Sequence, residues 1–426
     1  MHSYFAVYYF FALVYMHNNF IFAQVNVHKM EDLLLHSEKL IHETSLGFRR
    51  YLYDHINWSN RLIGVKGARG TGKTTLLLQY LKTVDLPISQ KAYLTLDDIY
   101  FSGNSLLESG KTFYQMGGKL LVLDEVHKYP TWAQEIKNLY DRYPDLKIIF
   151  TGSSIVDIAK QEGDLSRRAL MYELKGLSYR EYLFFKKGYI FPSIPLETLI
   201  DPKNSIRNLL DKDFKPLAYF QEYLKTGYYP YEVEDPRGFY QRLKQQLRLI
   251  VEYDMAELKG FDIRHAKKML QLLFVVAQQV PFKPNIIKLA EKTGIHRNSI
   301  NNYLYYLEEA RILSLLQSSG TSTALLQKPE KVYLENSNLL YALSEELPSL
   351  GAVREIFFNN QLGIMHHLSF PKKGDFLVNG KYLFEIGGKN KSSKQITDST
   401  QAWVVKDDIE YPIGKSIPLW LFGFLY

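Results

Sequence analysis

Short apolar runs alternate with helix-length amphipathic segments through the first part of the chain. Each run ends in polar residues and is followed by a segment long enough for a helix. Continuous apolar strands that alternate with helices are typical of a parallel sheet covered by helices on both faces. The pattern therefore predicts an α/β fold. The predicted strands lie within RLIGVKG, KAYLTLDD, KLLVLDE, LKIIFTGSS and ALMYELKGLS, which begin at Arg61, Lys91, Lys119, Leu146 and Ala169.

The pattern changes after about residue 180 to Tyr-rich and Leu-rich helical sequence. IRHAKKMLQLLFVVAQQV predicts a long helix, and Pro281 and Pro284 then interrupt the pattern. Residues 285–317 predict two or three short helices, and strand-like runs return from Lys331 onward. We predict five segments: an apolar leader at 1–29, an α/β core at 30–180, a helical linker at 181–280, a helix-turn-helix module at 281–330 and a small α+β domain at 331–426.

The leader has an apolar run at residues 4–16. This run is short for a bilayer span, and polar residues 17–19 interrupt it. It also lacks the Lys or Arg residues that begin a secretory signal, although a signal that ends near FIFAQ is an alternative. Our hypothesis is a misassigned start, with translation beginning at Met30. Detection of residues 1–29 by mass spectrometry of the native protein would contradict it.

Length and composition narrow the class of protein. A chain of 426 residues is expected to form two or three domains. Hydrophobic residues at 46% and charged residues at 23% are typical of globular proteins, and we expect no membrane partner. The net charge of +7 and isoelectric point near 9.0 fit either a polyanionic partner or a simple solubility feature. The absence of cysteine excludes disulfides, thiolate zinc sites and a cysteine nucleophile, and fits a cytoplasmic protein.

A glycine-rich loop follows the first predicted strand. Residues 67–74 match G-x-x-x-x-G-K-[ST] at every fixed position, between a strand and a helix. Glycines permit tight, partly left-handed turns, so successive N–H groups surround phosphate oxygens, and the following helix adds its positive end. Lys73 is expected to reach the β and γ phosphates, and the Thr74 hydroxyl to bind Mg²⁺. The predicted phosphate-binding residues are Gly67, Ala68, Arg69, Gly70, Thr71, Gly72, Lys73, Thr74 and Thr75.

Acidic residues end the third apolar run. Asp124 and Glu125 close KLLVLDE at the carboxyl edge of the predicted sheet, where open α/β sheets bind ligands. Asp124 is expected to hold Mg²⁺, and Glu125 to orient or deprotonate the attacking water. The sequence has no N-K-x-D motif of the kind that reads guanine, which favours ATP over GTP. The predicted cofactors are therefore ATP and Mg²⁺.

Two further groups are candidates for the same site. Thr151, Ser153 and Ser154 end the strand LKIIFTGSS, where a hydroxyl can bond the γ phosphate or the attacking water, or form a local turn. Arg167 and Arg168 in GDLSRRAL can supply positive charge to a neighbouring subunit's γ phosphate, or lie on a solvated turn. The sequence leaves both alternatives open for each group. The first alternative for the arginines implies a homo-oligomer.

The order of these motifs resembles that of the AAA+ ATPases, and more closely a prokaryotic AAA+ group with an uncharacterised C-terminal domain. The resemblance runs over about 30–233 and is carried by TGKTTLL, LDEVHKYPTW, FTGSS, LKGLSYREYL and YLKTGYYPYEV. It implies a five-stranded ATPase core, with Glu125 as hydrolytic glutamate, Ser153 as sensor and Arg168 as arginine finger. SRR stands where the family usually has an S-G-R turn, so Arg167 is the alternative finger.

NIIKLAEKTGIHRNSINNYLYYLEEARILSLLQ resembles a winged helix-turn-helix with Gly294 at the turn. Its apolar face is expected to comprise Ile287, Leu289, Ala290, Ile300, Tyr303, Leu304 and Leu307. Groove-reading residues are expected at the exposed side of the second helix, namely His296, Arg297, Asn298 and Asn301. With one arginine among them, the sequence favours a protein contact over DNA, and both interpretations stay open.

The C-terminal sequences GAVREIFFNNQLG and KKGDFLVNGKYLFEIGGKNK resemble a restriction-nuclease-like core. Such a site needs acids to hold Mg²⁺ and a lysine to stabilise the attacked phosphate. The resemblance assigns the acidic positions to Glu355, Asp375 and Glu385. The usual lysine position holds Gly387, so Lys389 is the candidate lysine if the glycines bend the strand. The alternative is a degenerate fold that binds nucleic acid or protein through a basic surface at Lys389, Lys391 and Lys394.

Two functions are consistent with the sequence. In the first, the protein hydrolyses ATP with Mg²⁺, and its nucleotide state repositions rear domains that bind DNA or protein. In the second, it is a nucleotide-dependent binding switch with negligible turnover, and the nuclease-like domain is a degenerate partner-binding domain. The residue that separates them is Glu125, because only the first function needs a group that activates water.

Overall fold

The computed structural model describes residues 30–152, 165, 167–201, 214–255, 266–319, 328–391 and 401–426. The predicted leader at 1–29 lies outside these residues. Strands and helices alternate through the first unit. Its strands are β1 (Leu62–Lys66), β2 (Lys91–Thr95), β3 (Leu120–Asp124), β4 (Lys147–Gly152) and β5 (Leu170–Glu173). Its helices are α1 (30–43), α2 (Leu52–His55), α3 (Lys73–Thr83), α4 (Leu106–Gln115) and α5 (Trp132–Arg142).

The five strands form one parallel sheet in the order β2-β3-β4-β1-β5. Strand β3 is buried along its whole length. Leu120 and Val122 join the core on one face, whereas Leu121 and Leu123 join the core on the other, because successive side chains of a strand point to opposite faces. The predicted parallel α/β sheet is therefore confirmed. Its order places the carboxyl ends of β3, β4 and β1 side by side.

Tyr-rich helices follow the sheet. Helix α6 (Tyr179–Lys187) begins with a capping box, in which Ser178 Oγ accepts from Glu181 N and the Glu181 side chain accepts from Ser178 N. Buried Tyr179, Tyr182 and Tyr223 contact one another, which explains part of the high tyrosine content. The other helices are α7 (Leu196–Ile200), α8 (Pro216–Thr226), α9 (Phe239–Leu249) and α10 (Ala266–Ala277). Among the described residues, no helix is both long and apolar enough to cross a bilayer.

Two helices and an antiparallel strand pair follow α10. These are α11 (Ile286–Thr293), α12 (Arg297–Glu309), β6 (Leu313–Leu316) and β7 (Lys331–Leu334). Gly294 joins the helices with φ +63°, in the left-handed region that glycine adopts most easily. Ile300, Tyr303, Leu304 and Leu307 are buried. The prediction that Ile287 belongs to the apolar face is wrong: its side chain is 62% exposed, and the adjacent turns bury Leu289 and Ile295 instead.

The last part combines two helices with a mixed sheet. The helices are α13 (Ser337–Leu343) and α14 (Leu350–Leu362). The strands are β8 (Leu368–Ser369), β9 (Phe376–Val378), β10 (Tyr382–Gly387), β11 (Ala402–Lys406) and β12 (Ser416–Pro418), in the order β12-β11-β10-β9-β8. Strands β10, β11 and β12 run parallel, whereas β9 is antiparallel to β8 and β10. The aromatic face of α14 packs on this sheet through Phe358, which contacts Phe376 and Phe384.

The end of the chain returns to the first helix after the parallel sheet. Residues Leu419–Phe424 form a short 3-10 helix with buried side chains. The carbonyl oxygen of Tyr426 accepts hydrogen bonds from Ser178 Oγ at 3.1 Å and from Arg180 Nε at 2.8 Å. These contacts join Tyr426 to α6, which follows β5 at the edge of the parallel sheet.

A partly buried charge cluster joins the end of β5 to the rear of the chain. Lys175 Nζ lies 2.6 Å from Glu335 Oε1 and 3.3 Å from Glu173 Oε1, and Arg311 Nε lies 2.7 Å from Glu173 Oε1. Glu308 lies beside this cluster and accepts a hydrogen bond from Leu315 N at 2.8 Å. Burial raises the pKa of Glu308 to about 7, although the Leu315 amide and Arg311 oppose the shift. Ionisation of the Glu308 carboxyl group therefore costs free energy in the folded protein.

Glu308→Gln is expected to stabilise the protein above pH 7. A carboxyl whose pKa rises from 4.5 in the unfolded chain to about 7 in the folded one loses stability as the pH rises through that window. The loss is about 3 kcal/mol at full ionisation, and the glutamine variant should not show it. Urea denaturation of both proteins at pH 4 and pH 8 measures the difference. The exposed Glu291→Gln on α11 is the control, and an equal pH dependence in wild type and Glu308→Gln would refute the assignment.

Candidate functional site

The glycine-rich loop lies between β1 and α3. Gly70 has φ +79° and Gly72 has φ +91°, both in the left-handed region, and Gly72 directly precedes the first helical residue, Lys73. A Cβ at Gly67 would lie 2.2 Å from the carbonyl oxygen of Leu174, which immediately follows β5. The neighbouring backbone therefore leaves no space for a side chain at Gly67. Gly70 and Gly72 have left-handed conformations that glycine adopts most easily.

Side chains from inside the loop hold its carbonyl groups. Lys73 Nζ donates to the carbonyl oxygens of Gly67 at 2.9 Å and Ala68 at 3.1 Å, and Thr71 Oγ1 also donates to Ala68 O at 2.9 Å. Because C=O and N–H groups point to opposite sides of a trans peptide, donors on the carbonyl side leave the N–H groups for an anion. Lys73 is only 5% exposed, so its ammonium group already lies at the loop.

A second cation comes from the segment before β1. Arg50 donates through NH1 to Thr71 O at 2.5 Å and through NH2 to Gly176 O at 2.8 Å, and it forms an ion pair with Glu181 at 3.0 Å. Burial alone would lower the pKa of Arg50, but the adjacent Glu181 carboxylate raises it above the ordinary value. This pair fixes the loop to the start of α6. Sequence reasoning missed this pair because the two residues are 131 positions apart and the capping box alone accounts for Glu181 locally.

Asp124 is the acceptor at the centre of the sheet edge. Its Oδ2 accepts from Thr74 Oγ1 at 2.6 Å and from Tyr93 OH at 2.7 Å, and its Oδ1 accepts from Thr151 Oγ1. Asp124 is 2% exposed, and burial together with this carboxylate raises the pKa of Tyr93. The structure therefore brings Asp124 and Thr74, predicted from separate motifs, into direct contact. Tyr93 was not predicted, although it stands in the neighbouring strand KAYLTLDD.

Glu125 follows in a left-handed conformation with φ +52°. Its N–H donates to Asp124 Oδ1 at 3.1 Å and to Thr151 Oγ1 at 3.2 Å, and its Oε2 lies 3.4 Å from His127 Nε2. Burial, with the nearby cations Lys128, Lys73 and Arg69, lowers the pKa of His127 to about 3. The imidazole is therefore neutral at pH 7, and the Glu125 carboxylate faces a neutral neighbour there.

A cavity of about 380 Å³ opens above the loop. The predicted Lys73, Thr74, Thr75 and Glu125 all line it. Apolar side chains form part of its wall, and some lining residues come from beyond position 180. Its lining residues are Phe48, Arg50, Gly70, Gly72, Lys73, Thr74, Thr75, Leu76, Gln79, Glu125, Phe185, Pro230, Tyr231, Val233 and Glu234. Gln79 Nε2 donates to Phe48 O at 2.7 Å and so orders the apolar wall. The arrangement has space for a phosphate chain at the loop and a flat apolar group beside it.

The comparisons with known proteins agree with this geometry. Residues 59–183 match the family model of an AAA domain, and residues 217–349 match that of a domain of unknown function, DUF8612. This first match supports a P-loop ATPase domain in the first unit. It agrees with the predicted AAA-type resemblance over residues 59–183 and supports nucleotide binding. The second match assigns no activity to the rear of the chain.

Similar proteins add little about function. The uncharacterized protein MJ1637 of Methanocaldococcus jannaschii is 27% identical over 386 residues, covering 81% of this chain and 79% of its own length. Among solved structures, AMPPCP-bound DnaA from Aquifex aeolicus is 14% identical with a TM-score of 0.25, covering 59% of this chain and 82% of its own. PCH-2 of C. elegans is 14% identical with a TM-score of 0.24, covering 66% and 67%. Structural similarity at this level carries no information about function.

The structure describes the predicted arginine-finger residues of the first unit but not the predicted sensor residue. Ser153 lies outside the described residues, whereas Thr151 bonds Asp124 as given above. Arg168 forms a bidentate ion pair with Asp141 of its own chain, with Nε to Oδ1 at 2.9 Å and NH2 to Oδ2 at 3.0 Å. Arg167 is exposed. The choice between the two arginines stays a prediction.

The three predicted acids of the C-terminal unit lie in one cluster with two lysines. Glu355 Oε2 is 2.8 Å from Lys331 Nζ, Asp375 Oδ1 is 3.8 Å from the same Nζ, and Glu385 Oε1 is 2.5 Å from Lys391 Nζ. Burial first, and then the Asp375 and Glu355 carboxylates, raise the pKa of Glu385, although Lys391 opposes the shift. Within the described part of the chain, no group of three or more His, Asp or Glu side chains is placed to hold a metal ion.

The lysine that the structure pairs with Glu385 is Lys391, two residues beyond the predicted Lys389. Lys391 N donates to Gly388 O at 2.9 Å, so the chain turns back after β10. A Cβ at Gly387 would lie 2.6 Å from the Lys391 side chain. The stem of Lys391 therefore occupies the space that a side chain at position 387 would fill. The structure leaves the role of Lys389 untested.

Proposed function

We propose that the protein is a Mg²⁺-dependent ATP hydrolase whose nucleotide state is coupled to the rear of the chain. The observation that carries the proposal is one cavity lined by the phosphate loop, Thr74 and Glu125, with Asp124 directly behind. Lys73 would exchange the carbonyl oxygens of Gly67 and Ala68 for phosphate oxygens when nucleotide binds. The base would lie against the apolar wall of Phe48, Leu76 and Phe185.

The residues at the sheet edge fit a magnesium ion. A hydroxyl and a carboxylate in contact are the oxygen ligands that Mg²⁺ prefers, and Thr74 and Asp124 provide them beside the loop. When bound, the ion would offset phosphate charge. Glu125 would accept a proton from the attacking water, and its backbone N–H bonds to Asp124 and Thr151 hold it at the cavity.

Phosphate release by wild-type protein tests the proposal. With MgATP we expect turnover that EDTA abolishes, since the triphosphate would then lack its cation. The assay is repeated with duplex DNA, RNA and candidate protein partners, because stimulation by one class identifies what the rear of the chain binds. Calorimetry with MgATP runs in parallel. An absence of both turnover and binding heat in folded protein would refute the proposal.

A binding switch with negligible turnover is the second candidate. It is favoured by Arg168, which is bonded to Asp141 of its own chain and so does not extend toward a neighbour in this conformation. The switch predicts binding heat with MgATP but no phosphate release.

If the arginine acts on a neighbour, the protein is a homo-oligomer, and sedimentation with and without nucleotide measures this. We include a cytoplasmic location in the proposal, on the absence of cysteine alone.

DNA is the proposed partner of α12, with protein as the alternative. Helices α10 to α12 followed by β6 and β7 have the order of a winged helix, and Phe282 bridges Val332 as a third short strand would. The exposed residues of this surface carry more positive than negative groups, with Glu291 as an exposed acid. The exposed side chains that would reach a groove or phosphates are Lys288, Lys292, His296, Arg297, Asn298, Asn301 and Asn302. Absence of DNA binding at low salt would leave protein as the partner.

The C-terminal cluster is proposed as a degenerate nuclease-like site. Lys331 and Lys391 already neutralise Glu355 and Glu385, so a metal ion would have to displace a paired lysine. Nuclease activity is the alternative. Cleavage of DNA or RNA in Mg²⁺ or Mn²⁺ that is lost in Glu385→Ala would establish activity and overturn this assignment.

A further inference from the structure

Two side chains that stand far along the chain from the glycine-rich loop contact it at Arg69 and Gly70. Gln246 Nε2 donates to the carbonyl oxygen of Arg69 at 2.6 Å, and Tyr231 OH donates to Gln246 Oε1 at 3.1 Å. The Tyr231 ring lies against Gly70, because a Cβ built there would be 2.6 Å from the ring. Both residues stand in the 217–349 match of unknown function, outside the ATPase domain match at 59–183.

These contacts act on a different part of the loop from the one that Lys73 and Thr71 hold. Lys73 and Thr71 donate to the carbonyl oxygens of Gly67 and Ala68, as described above, but Arg69 O accepts from Gln246. Because a trans peptide directs its C=O and the next N–H to opposite sides, the bond from Gln246 to Arg69 O also fixes the direction of the Gly70 N–H. Gly70 and Tyr231 both line the cavity, so this N–H lies at the place where a phosphate chain would bind.

We propose that Tyr231 and Gln246 are positioning residues of the nucleotide site. They hold the Arg69 carbonyl and the turn at Gly70 so that the N–H groups of the loop face the phosphate chain. The inference rests on the proposed ATP binding and extends it: the site is completed by the region of unknown function, which therefore senses whether phosphate occupies the loop.

The segment that carries Tyr231 is braced from two sides. The buried Glu232 carboxylate accepts from Lys186 Nζ of α6 at 2.8 and 3.0 Å. Tyr229 OH accepts from Asn336 Nδ2 at 3.1 Å, and Asn336 caps α13. A displacement of the loop is therefore transmitted through Tyr231 to groups that are fixed in α6 and α13, rather than lost in a mobile surface segment.

Binding measurements with phosphate-rich and phosphate-poor nucleotides test the proposal. The variants are Gln246→Ala and Tyr231→Phe, and the control is Gln245→Ala, which removes an exposed amide from the same helix. Loss of a hydrogen bond that orients the loop should weaken MgATP binding about fivefold in Gln246→Ala and about threefold in Tyr231→Phe, which keeps the ring on Gly70. AMP lacks the β and γ phosphates, so its affinity should change by less than about twofold.

The outcomes separate this inference from the proposed function. No MgATP binding by folded wild-type protein refutes both. MgATP binding that stays within about twofold of wild type in both variants refutes the positioning role alone, as does an equal loss for AMP and ATP. Thermal unfolding without nucleotide shows whether each variant is folded. If Gln246→Ala fails to fold, Tyr231→Phe still decides the question, because it removes a single hydroxyl.

Discussion

Lys73→Ala is expected to weaken MgATP binding about 100-fold, the largest change in affinity that the structure leads us to expect. Lys73 is the first residue of α3, and its ammonium group already lies among the carbonyl groups of the loop. In the bound state it would give charge-assisted hydrogen bonds to two phosphates, which are stronger than bonds between neutral groups. Isothermal titration with MgATP measures the loss.

The matched control is Lys82→Ala. Lys82 stands on the same helix and also donates to two carbonyl oxygens, those of His42 at 2.6 Å and Thr44 at 2.7 Å. It differs from Lys73 in lying in the last turn of the helix, away from the loop. Its loss should reduce stability without changing the affinity for MgATP. Equal affinities of Lys73→Ala and wild type would show that phosphate does not bind where we place it.

The parts of the site that the sequence predicted are those whose chemistry is local. The loop requires glycines in left-handed conformations, a lysine at the start of a helix and a hydroxyl after it, and these requirements fall within 67–74. Asp124 and Glu125 are recognisable because a strand buried on both faces ends in two acids. The parallel sheet that joins the two motifs follows from the alternation of apolar runs and helices.

The residues that sequence reasoning missed act across long distances along the chain. Arg50 bonds Glu181, which is 131 positions away, and Gln246 bonds Arg69, which is 177 positions away. Neither contact leaves a periodic or spacing signal, because each depends on how separate units pack. Sequence reasoning placed Lys391 on a basic surface and missed its pairing with Glu385 for another reason: the turn at Gly388 that returns Lys391 to Glu385 depends on backbone geometry. Tertiary contacts of this kind need coordinates.

Glu125→Gln is expected to lower phosphate release about a thousandfold while leaving MgATP affinity within about twofold of wild type. Glutamine has the size and shape of glutamate but cannot take a proton from water at neutral pH. The backbone of Glu125 is held by Asp124 and Thr151, so the substitution should not move the strand end. Stopped-flow detection of released phosphate, together with calorimetry on the same samples, measures both quantities.

Glu234→Gln is the control for Glu125→Gln, because Glu234 lines the same cavity and its carboxylate lies 3.4 Å from Arg242 at the exposed side. It should retain turnover, because Glu234 pairs with Arg242 and is not bonded to the residues at the ends of β3 and β4 that hold Glu125. Full turnover by Glu125→Gln would remove this residue from the mechanism. Wild-type protein that binds MgATP without releasing phosphate would instead identify a binding switch. In that case nucleotide binding at the phosphate loop would be transmitted through Gln246 and Tyr231, and Glu125 would have no catalytic role.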